Sequence, residues 1–181
     1  MSHYNFATDF KTIYDQALSR FAFGVAGADA IVTPEELSFL SANGITAQHM
    51  YDYAEDHHTD GGEPGFERAL AIEIVRRDYF LNVQRGIAST HVLDGSTLPA
   101  KSATLRDIEW LPRIIPKAKA KLRGELPPTL MYCCGGDRKF LKEHDIFPAE
   151  FLSLVWRHEN NDAAIADWVV NRKTAPSKAT N

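Results

Sequence analysis

Hydrophobic residues recur at helical spacing along most of the chain. In residues 5–23 they fall on one face of a helix and comprise Phe6, Phe10, Ile13, Tyr14, Ala17, Leu18, Phe21 and Ala22. The same spacing predicts helices over residues 33–43, 46–57 and 66–84. The first of these three begins with the sequence of a capping box and a proline at its first helical position, Thr33-Pro34-Glu35-Glu36. Apolar residues occupy much of the circumference of the helix at 66–84, which predicts a central position for this helix.

The second half of the chain is also predicted to be helical. Residues 87–104 show no clear period and form a connector, in which residues 90–93 suggest a short strand. A helix is expected over residues 111–123, with Pro116 distorting one of its turns. Three further helices are predicted to begin at Asp137, Pro148 and Asp162.

These patterns predict an all-α fold of about eight helices in a compact arrangement without repeats. If the chain forms two subdomains, the connector is the boundary between them. In that case an acidic helical half at residues 1–90 precedes a helical domain at residues 91–174. Residues 175–181 are polar and predict a frayed tail.

Three segments of the second half carry the motifs of a known family: Leu111-Pro112-Arg113-Ile114-Ile115-Pro116-Lys117-Ala118-Lys119-Ala120-Lys121-Leu122, Gly135-Gly136-Asp137-Arg138-Lys139-Phe140-Leu141 and Ile165-Ala166-Asp167-Trp168-Val169. Together they cover roughly residues 91–172 and resemble the bacterial family catalogued as domain of unknown function 5069. Pro116 stands where that family is expected to have an acidic residue. The resemblance implies a helical fold and no particular reaction, because the family has no assigned activity.

The composition is typical of a soluble globular domain, since apolar residues make up 44% and charged residues 24% of the 181 positions. No apolar run is long enough to span a bilayer, so no membrane partner is expected. The chain does not open with a basic region followed by an apolar block, as a secretory signal would. Its two cysteines are adjacent and cannot form a disulfide framework, which favours a reducing cytoplasm.

Charge is distributed unevenly along the chain. Residues 1–90 carry 13 acidic and 6 basic side chains, whereas residues 91–181 carry 11 acidic and 14 basic side chains. A basic excess of this size could attract an anionic ligand or an acidic protein surface. It is far below the excess of typical nucleic-acid-binding proteins, so nucleic acid is not an expected partner.

The densest cluster of reactive side chains lies in residues 49–58. His49, Tyr53, Asp56 and His57 are candidate catalytic residues, because helical spacing brings imidazole, phenol and carboxylate groups together. His49, Asp52 and Asp56 could hold a divalent metal ion, whose identity the sequence leaves unknown. The alternative is a solvated polar face, in which histidines near the carboxyl end of a helix are favoured by its dipole.

A second candidate site precedes a predicted helix. Cys133, Cys134 and Arg138 could bind a ligand there, since free amides at a helix amino end stabilise thiolates and other anions. The alternative is a pair of buried, inert cysteines. The basic side chains of the preceding helix are expected to form a solvated face, and these are Lys117, Lys119, Lys121 and Arg123.

Glu73 lies between two isoleucines and is expected to be partly buried. Arg76 and Arg77, three and four residues later, are its expected partners within the same helix.

Two functions remain open. The first is an enzyme that acts on a small molecule, metal-dependent or not, in a pocket between the two halves. The second is a non-catalytic helical module that binds an anionic ligand or a protein partner through residues 135–139 and the basic helix. A homo-oligomer is compatible with either function, and the sequence does not indicate the oligomeric state.

Overall fold

The computed structural model describes residues 3–174, and these residues form nine α-helices and one small hairpin. The helices are α1 (Phe6–Ala22), α2 (Ala28–Ile31), α3 (Pro34–Ala42), α4 (Ala47–Thr59), α5 (Phe66–Asn82), α6 (Leu111–Arg123), α7 (Gly135–Glu143), α8 (Pro148–Arg157) and α9 (Asp162–Thr174). Strands β1 (Thr104–Leu105) and β2 (Ile108–Glu109) pair antiparallel. The all-α prediction is confirmed. The predicted tail at residues 175–181 lies outside the described residues.

The capping box predicted at the start of α3 forms and also joins two helices. The Thr33 hydroxyl accepts a hydrogen bond from the Glu36 amide, and the Glu36 carboxylate accepts one from the Thr33 amide. Arg20 on α1 donates two hydrogen bonds to the same carboxylate, at 2.6 and 3.0 Å. The cap therefore fixes both the start of α3 and its position against α1.

Several local predictions were wrong. Residues 90–93 form no strand, and the short helix α2 was not predicted. Helix α6 continues through Pro116, and the distortion expected at that turn stays a prediction. Helix α7 begins at Gly135 rather than at Asp137, because the Asp137 carboxylate turns inward to bind other groups and does not cap the helix.

The core consists of two clusters of buried hydrophobic side chains. The amino-terminal cluster is built from α1, α2, α3 and α4, and the carboxyl-terminal cluster from α6, α7, α8 and α9. Helix α5 contributes Ala69 to the first cluster, and Ile72 and Tyr79 to the second. As its pattern predicted, α5 is the central helix, and it belongs to both cores. The proposed division at residue 90 stays a prediction.

A buried polar cluster, here called the Glu73 network, joins three helices between the two cores. Glu73 on α5 is fully buried and accepts hydrogen bonds from Lys121 Nζ on α6 at 2.6 Å and from the Tyr53 hydroxyl on α4 at 2.7 Å. His49 Nδ1, also on α4, lies 3.4 Å from the same carboxylate oxygen. The network thus ties α4 and α6 to the central helix.

Two predictions about charged residues are corrected by this network. Lys121 is only 3% exposed, so it does not belong to a solvated basic face. The partners expected for Glu73 on its own helix bind elsewhere: Arg76 donates to Gln84, and Arg77 donates to Asn43. The reason is that Glu73 points towards α4 and α6, where a lysine reaches it directly.

The surroundings of the network determine its protonation states. Burial opposes ionisation of Glu73, but the charge of Lys121 and its hydrogen bond hold the pKa of the Glu73 carboxyl below the ordinary value. Burial and the charge of Lys121 lower the pKa of His49. Burial raises the pKa of Tyr53 well above its ordinary value, which keeps the hydroxyl as a donor. We therefore assign a Glu73–Lys121 ion pair beside a neutral imidazole.

The substitution Lys121→Met should lower the free energy of unfolding by about 3–5 kcal/mol, because it leaves the Glu73 carboxylate buried without its cation. Urea denaturation followed by circular dichroism measures this loss. The matched control is Lys119→Met on the same helix, whose ion pair with Asp162 is partly exposed and should contribute less than about 1 kcal/mol. The double variant Lys121→Met with Glu73→Gln should recover part of the stability. Equal losses in the two single variants would contradict the role given to the network.

Candidate functional site

An open cleft of about 410 Å³ lies between the two halves of the chain, and we call it the Cys134 cleft. One wall is α4, and the others are the amino ends of α6 and α7 and the loop that joins these two helices. Its lining residues are Asp52, Glu55, Asp56, Lys101, Trp110, Arg113, Lys117, Pro128, Thr129, Leu130, Met131, Cys134 and Gly136. A cleft of this size can accept a small molecule.

Asp137 organises one side of the cleft from below the surface. Its fully buried carboxylate accepts hydrogen bonds from Trp110 Nε1 at 2.9 Å, from Lys117 Nζ at 2.5 Å and from the Cys133 amide at 3.0 Å. These donors come from the start of α6, from about two turns further along α6 and from the loop before α7. A single carboxylate therefore fixes three lining segments relative to one another.

Two non-glycine residues beside the cleft have left-handed backbone conformations. Trp110 has a φ of 68° and Cys133 a φ of 71°. Such conformations are unfavourable for residues with a Cβ and persist where the surroundings impose them. Here the bonds to Asp137 supply that constraint, because they hold the Trp110 indole and the Cys133 amide directly.

The two adjacent cysteines have different surroundings. Cys133 is fully buried, and burial raises the pKa of its thiol to about 12. Cys134 is half-buried, lines the cleft and accepts a hydrogen bond from Lys117 Nζ at 3.3 Å. Cys134 is therefore the chemically accessible thiol. Lys117, predicted on a solvated face, is only 3% exposed because Asp137 binds it inside.

The α4 wall of the cleft is acidic. Burial raises the pKa of Asp52 to about 6, although the hydrogen bond from Gln48 opposes this rise. Asp56 instead forms an ion pair with Arg138 on α7, at 2.5 Å. Asp52 is thus a carboxyl group that can exchange a proton close to neutral pH.

The structure separates the residues predicted as catalytic. Asp56 lines the cleft, whereas His49 and Tyr53 lie behind it in the Glu73 network. Asp52 connects the two places, since it lines both the cleft and a narrow hollow beside His49 and Tyr53. His57 does not line the cleft, and its ring packs edge-on against His58.

The predicted metal ligands do not form a metal centre in the described part of the chain. Within those residues, no group of three or more His, Cys, Asp or Glu side chains is placed to hold a metal ion. His49 faces Glu73, Asp52 is bonded to Gln48, and Asp56 is bonded to Arg138. The metal site at His49, Asp52 and Asp56 stays a prediction without geometric support.

Arg138 links α7 to α4, which differs from the ligand-binding role predicted for it. Its guanidinium donates to Asp56 at 2.5 Å, to the Cys133 carbonyl at 2.6 Å and also to Asp60. Those acidic partners compete with any anionic ligand for the guanidinium. Of the predicted ligand-binding residues, Cys134 alone keeps an accessible reactive group, since Cys133 is buried.

The sequence did not indicate three residues that shape the cleft, namely Lys101, Trp110 and Arg113. It included Lys117 and Asp137 only in the binding surface of the non-catalytic alternative. The position of Lys117 carried a detectable signal, because it lies at helical spacing beside the apolar residues of α6. The role of Asp137 carried none, since two of its three donors, Trp110 and Lys117, lie 27 and 20 residues away along the chain.

No protein-family model matches this chain, and no curated protein and no solved structure matches it either. The resemblance of residues 91–172 to domain of unknown function 5069 therefore stays a prediction. In residues 3–174, none of the helices combines the length and the apolar character that crossing a membrane requires.

The substitution Gly136→Ala should destabilise the protein by about 1–3 kcal/mol. A Cβ at this position would lie 2.5 Å from Trp110 Cη2, so the rigid indole would have to move and lose its bond to Asp137. Thermal or urea unfolding measures the change. The neighbouring control is Gly135→Ala, whose Cβ would meet its nearest atom at 3.5 Å and which should be neutral or stabilising by up to about 1 kcal/mol. Equal effects of the two substitutions would contradict this packing.

Proposed function

We propose that the protein is an enzyme that acts on a small acyl compound in the Cys134 cleft, with Cys134 as the nucleophile. The observation that carries the proposal is the contact of Lys117 Nζ with Cys134 Sγ at 3.3 Å on the wall of an open cleft. A sulfur beside a cation at the amino end of a helix has the surroundings typical of nucleophilic cysteines.

The start of α7 supports acyl transfer in particular. Cys134 is the N-cap of this nine-residue helix, and Gly135 and Gly136 are its first two residues. The first amides of a helix have no partner within the helix and carry the positive end of its dipole. They can stabilise the oxyanion that forms when a thiolate attacks an acyl carbon. The nucleophile and the oxyanion donors would then come from one turn of the chain.

Asp52 is the proposed acid–base group. It lines the same cleft, and its pKa of about 6 suits proton transfer near neutral pH. His49 and Tyr53, the candidates from the sequence, take a supporting part, because they line the hollow behind Asp52. A metal ion at His49, Asp52 and Asp56 has no part in this proposal.

The charges of the opposite wall indicate what the substrate carries. Lys101 and Arg113 line the cleft with Cys134. They can bind a carboxylate or phosphate group of the acyl compound. We therefore propose an acyl compound with an anionic group. A reducing cytoplasm is the compartment that we propose, because it would keep the Cys134 thiol free.

The non-catalytic alternative is less well supported. It requires residues 135–139 and the basic helix to bind an anionic ligand or a protein partner, and Arg138 is one of the cations in the first of these segments. The acidic side chains of Asp56 and Asp60 already bind that guanidinium.

Incubation with a panel of p-nitrophenyl esters and acyl thioesters tests the proposal. Release of p-nitrophenolate or thiol measures turnover, and intact mass spectrometry detects an acyl adduct, which peptide mapping assigns. We expect an adduct on Cys134 and at least about a hundredfold loss of turnover in Cys134→Ala. The control Cys133→Ala changes the adjacent, buried thiol and should retain the adduct. Absence of any Cys134 adduct across the panel would reject the proposal.

The pKa of Asp52 predicts a pH dependence of stability. Because this pKa is raised to about 6, the folded protein binds the proton more tightly than the unfolded chain does. The contribution of Asp52 to stability is therefore present at low pH and is lost as the pH rises through about 6. Relative to the wild type, Asp52→Asn should gain about 1–2 kcal/mol between about pH 4 and about pH 8. Urea unfolding across this range measures the difference, and a constant difference would contradict the assignment.

A further inference from the structure

We propose that Cys134 and Lys117 form an oxidation-sensitive modification site, in which a hydroperoxide converts the thiol into a covalent S–N bond between Cys134 Sγ and Lys117 Nζ. The two atoms lie 3.3 Å apart on the wall of an open cleft. The inference goes beyond the proposed acyl chemistry and does not depend on it.

The first step is oxidation of the accessible sulfur. Cys134 Sγ attacks one oxygen of the hydroperoxide, so an S–O bond forms and the O–O bond breaks. Sulfur loses two electrons and becomes a sulfenic acid, while the peroxide is reduced and leaves as an alcohol, or as water when the oxidant is hydrogen peroxide. The thiol proton ends on the leaving oxygen. Cys133 is a poor competitor for the oxidant because its side chain is fully buried.

The second step joins sulfur to nitrogen without further electron transfer. Lys117 Nζ attacks Cys134 Sγ, so the S–N bond forms and the S–O bond breaks. Of the three ammonium protons, one passes to the carboxylate of Asp137, whose Oδ2 lies 2.5 Å from Nζ. A second leaves with the hydroxyl group as water, and the third stays on nitrogen. The product is a sulfenamide, a known product of sulfenic acids and nitrogen nucleophiles.

The position of Lys117 favours this product over further oxidation. The side chain is only 3% exposed, and Asp137 and Cys134 together hold its nitrogen in place. An attacking group that is already positioned reacts as if it were present at very high concentration. Further oxidation of the sulfenic acid requires a second peroxide molecule, so the S–N bond should form first at low peroxide concentration.

Treatment of the full chain with hydrogen peroxide, followed by intact mass spectrometry, tests the inference. We expect a loss of about 2 Da, the mass of two hydrogen atoms, and its reversal by dithiothreitol. Tandem mass spectrometry of a proteolytic digest should then find the peptide of Lys117 linked to that of Cys134. The measurement uses the wild-type chain, so it does not require a variant to fold.

Two variants identify the atoms. Cys133→Ala should keep the loss of mass and the cross-link, whereas Cys134→Ala should lose both. Peroxide should also lower the rate at which iodoacetamide labels Cys134 by at least about tenfold, with recovery after dithiothreitol.

A disulfide between Cys133 and Cys134 would give the same loss of mass, but it would not form in Cys133→Ala, and its detection would overturn the inference. So would a gain of about 32 or 48 Da on Cys134 without a cross-link, or no reaction at all. A failure of the acyl panel would leave these measurements unaffected, so the two proposals can fail separately.

Discussion

Two buried ion pairs on one helix determine how this protein is assembled. Lys121 of α6 binds Glu73 of α5, and Lys117, one turn earlier, binds Asp137 of α7. All four residues are at most 3% exposed. Removing a charge from water is costly, and only a close partner offsets that cost. A shift of α6 along its axis would separate both pairs at once, so the pairs fix its position against α5 and α7.

The cleft depends on the same helix. Because Asp137 holds Lys117 from below, the lysine nitrogen remains beside Cys134 and does not extend into solvent. Trp110 and Cys133 also donate hydrogen bonds to Asp137. These bonds hold the two residues in left-handed backbone conformations, which are unfavourable for residues with a Cβ. The chemistry proposed for Cys134 therefore rests on a buried carboxylate that does not itself line the cleft.

The sequence predicted eight of the nine helices in residues 3–174 because apolar spacing and capping residues are local signals, and Thr33 with Glu36 is the clearest case. It did not predict the ion pairs, because each joins positions 20 or 48 residues apart. The lysines carried a partial signal. At 100° per residue, Lys121 lies only about 20° from Ile114 around the axis of α6, which places it inside the apolar stripe. A lysine at such a position requires a buried partner, but helical periodicity cannot tell which carboxylate provides it.

Glu73 and Asp52 show why predicting a polar cluster differs from predicting a site. Both carboxyl groups are affected by burial and by the charge of Lys121, yet burial raises the pKa of Asp52 to about 6 whereas the pKa of Glu73 falls below its ordinary value. The difference is contact, because Lys121 Nζ lies 2.6 Å from Glu73 and interacts with Asp52 only through space. One carboxylate is thereby fixed as a structural anion, and the other can still gain or lose a proton at the cleft. The helical spacing of acidic residues and histidines on α4 cannot show which kind of carboxyl group is present. That depends on the position of the Lys121 side chain of α6.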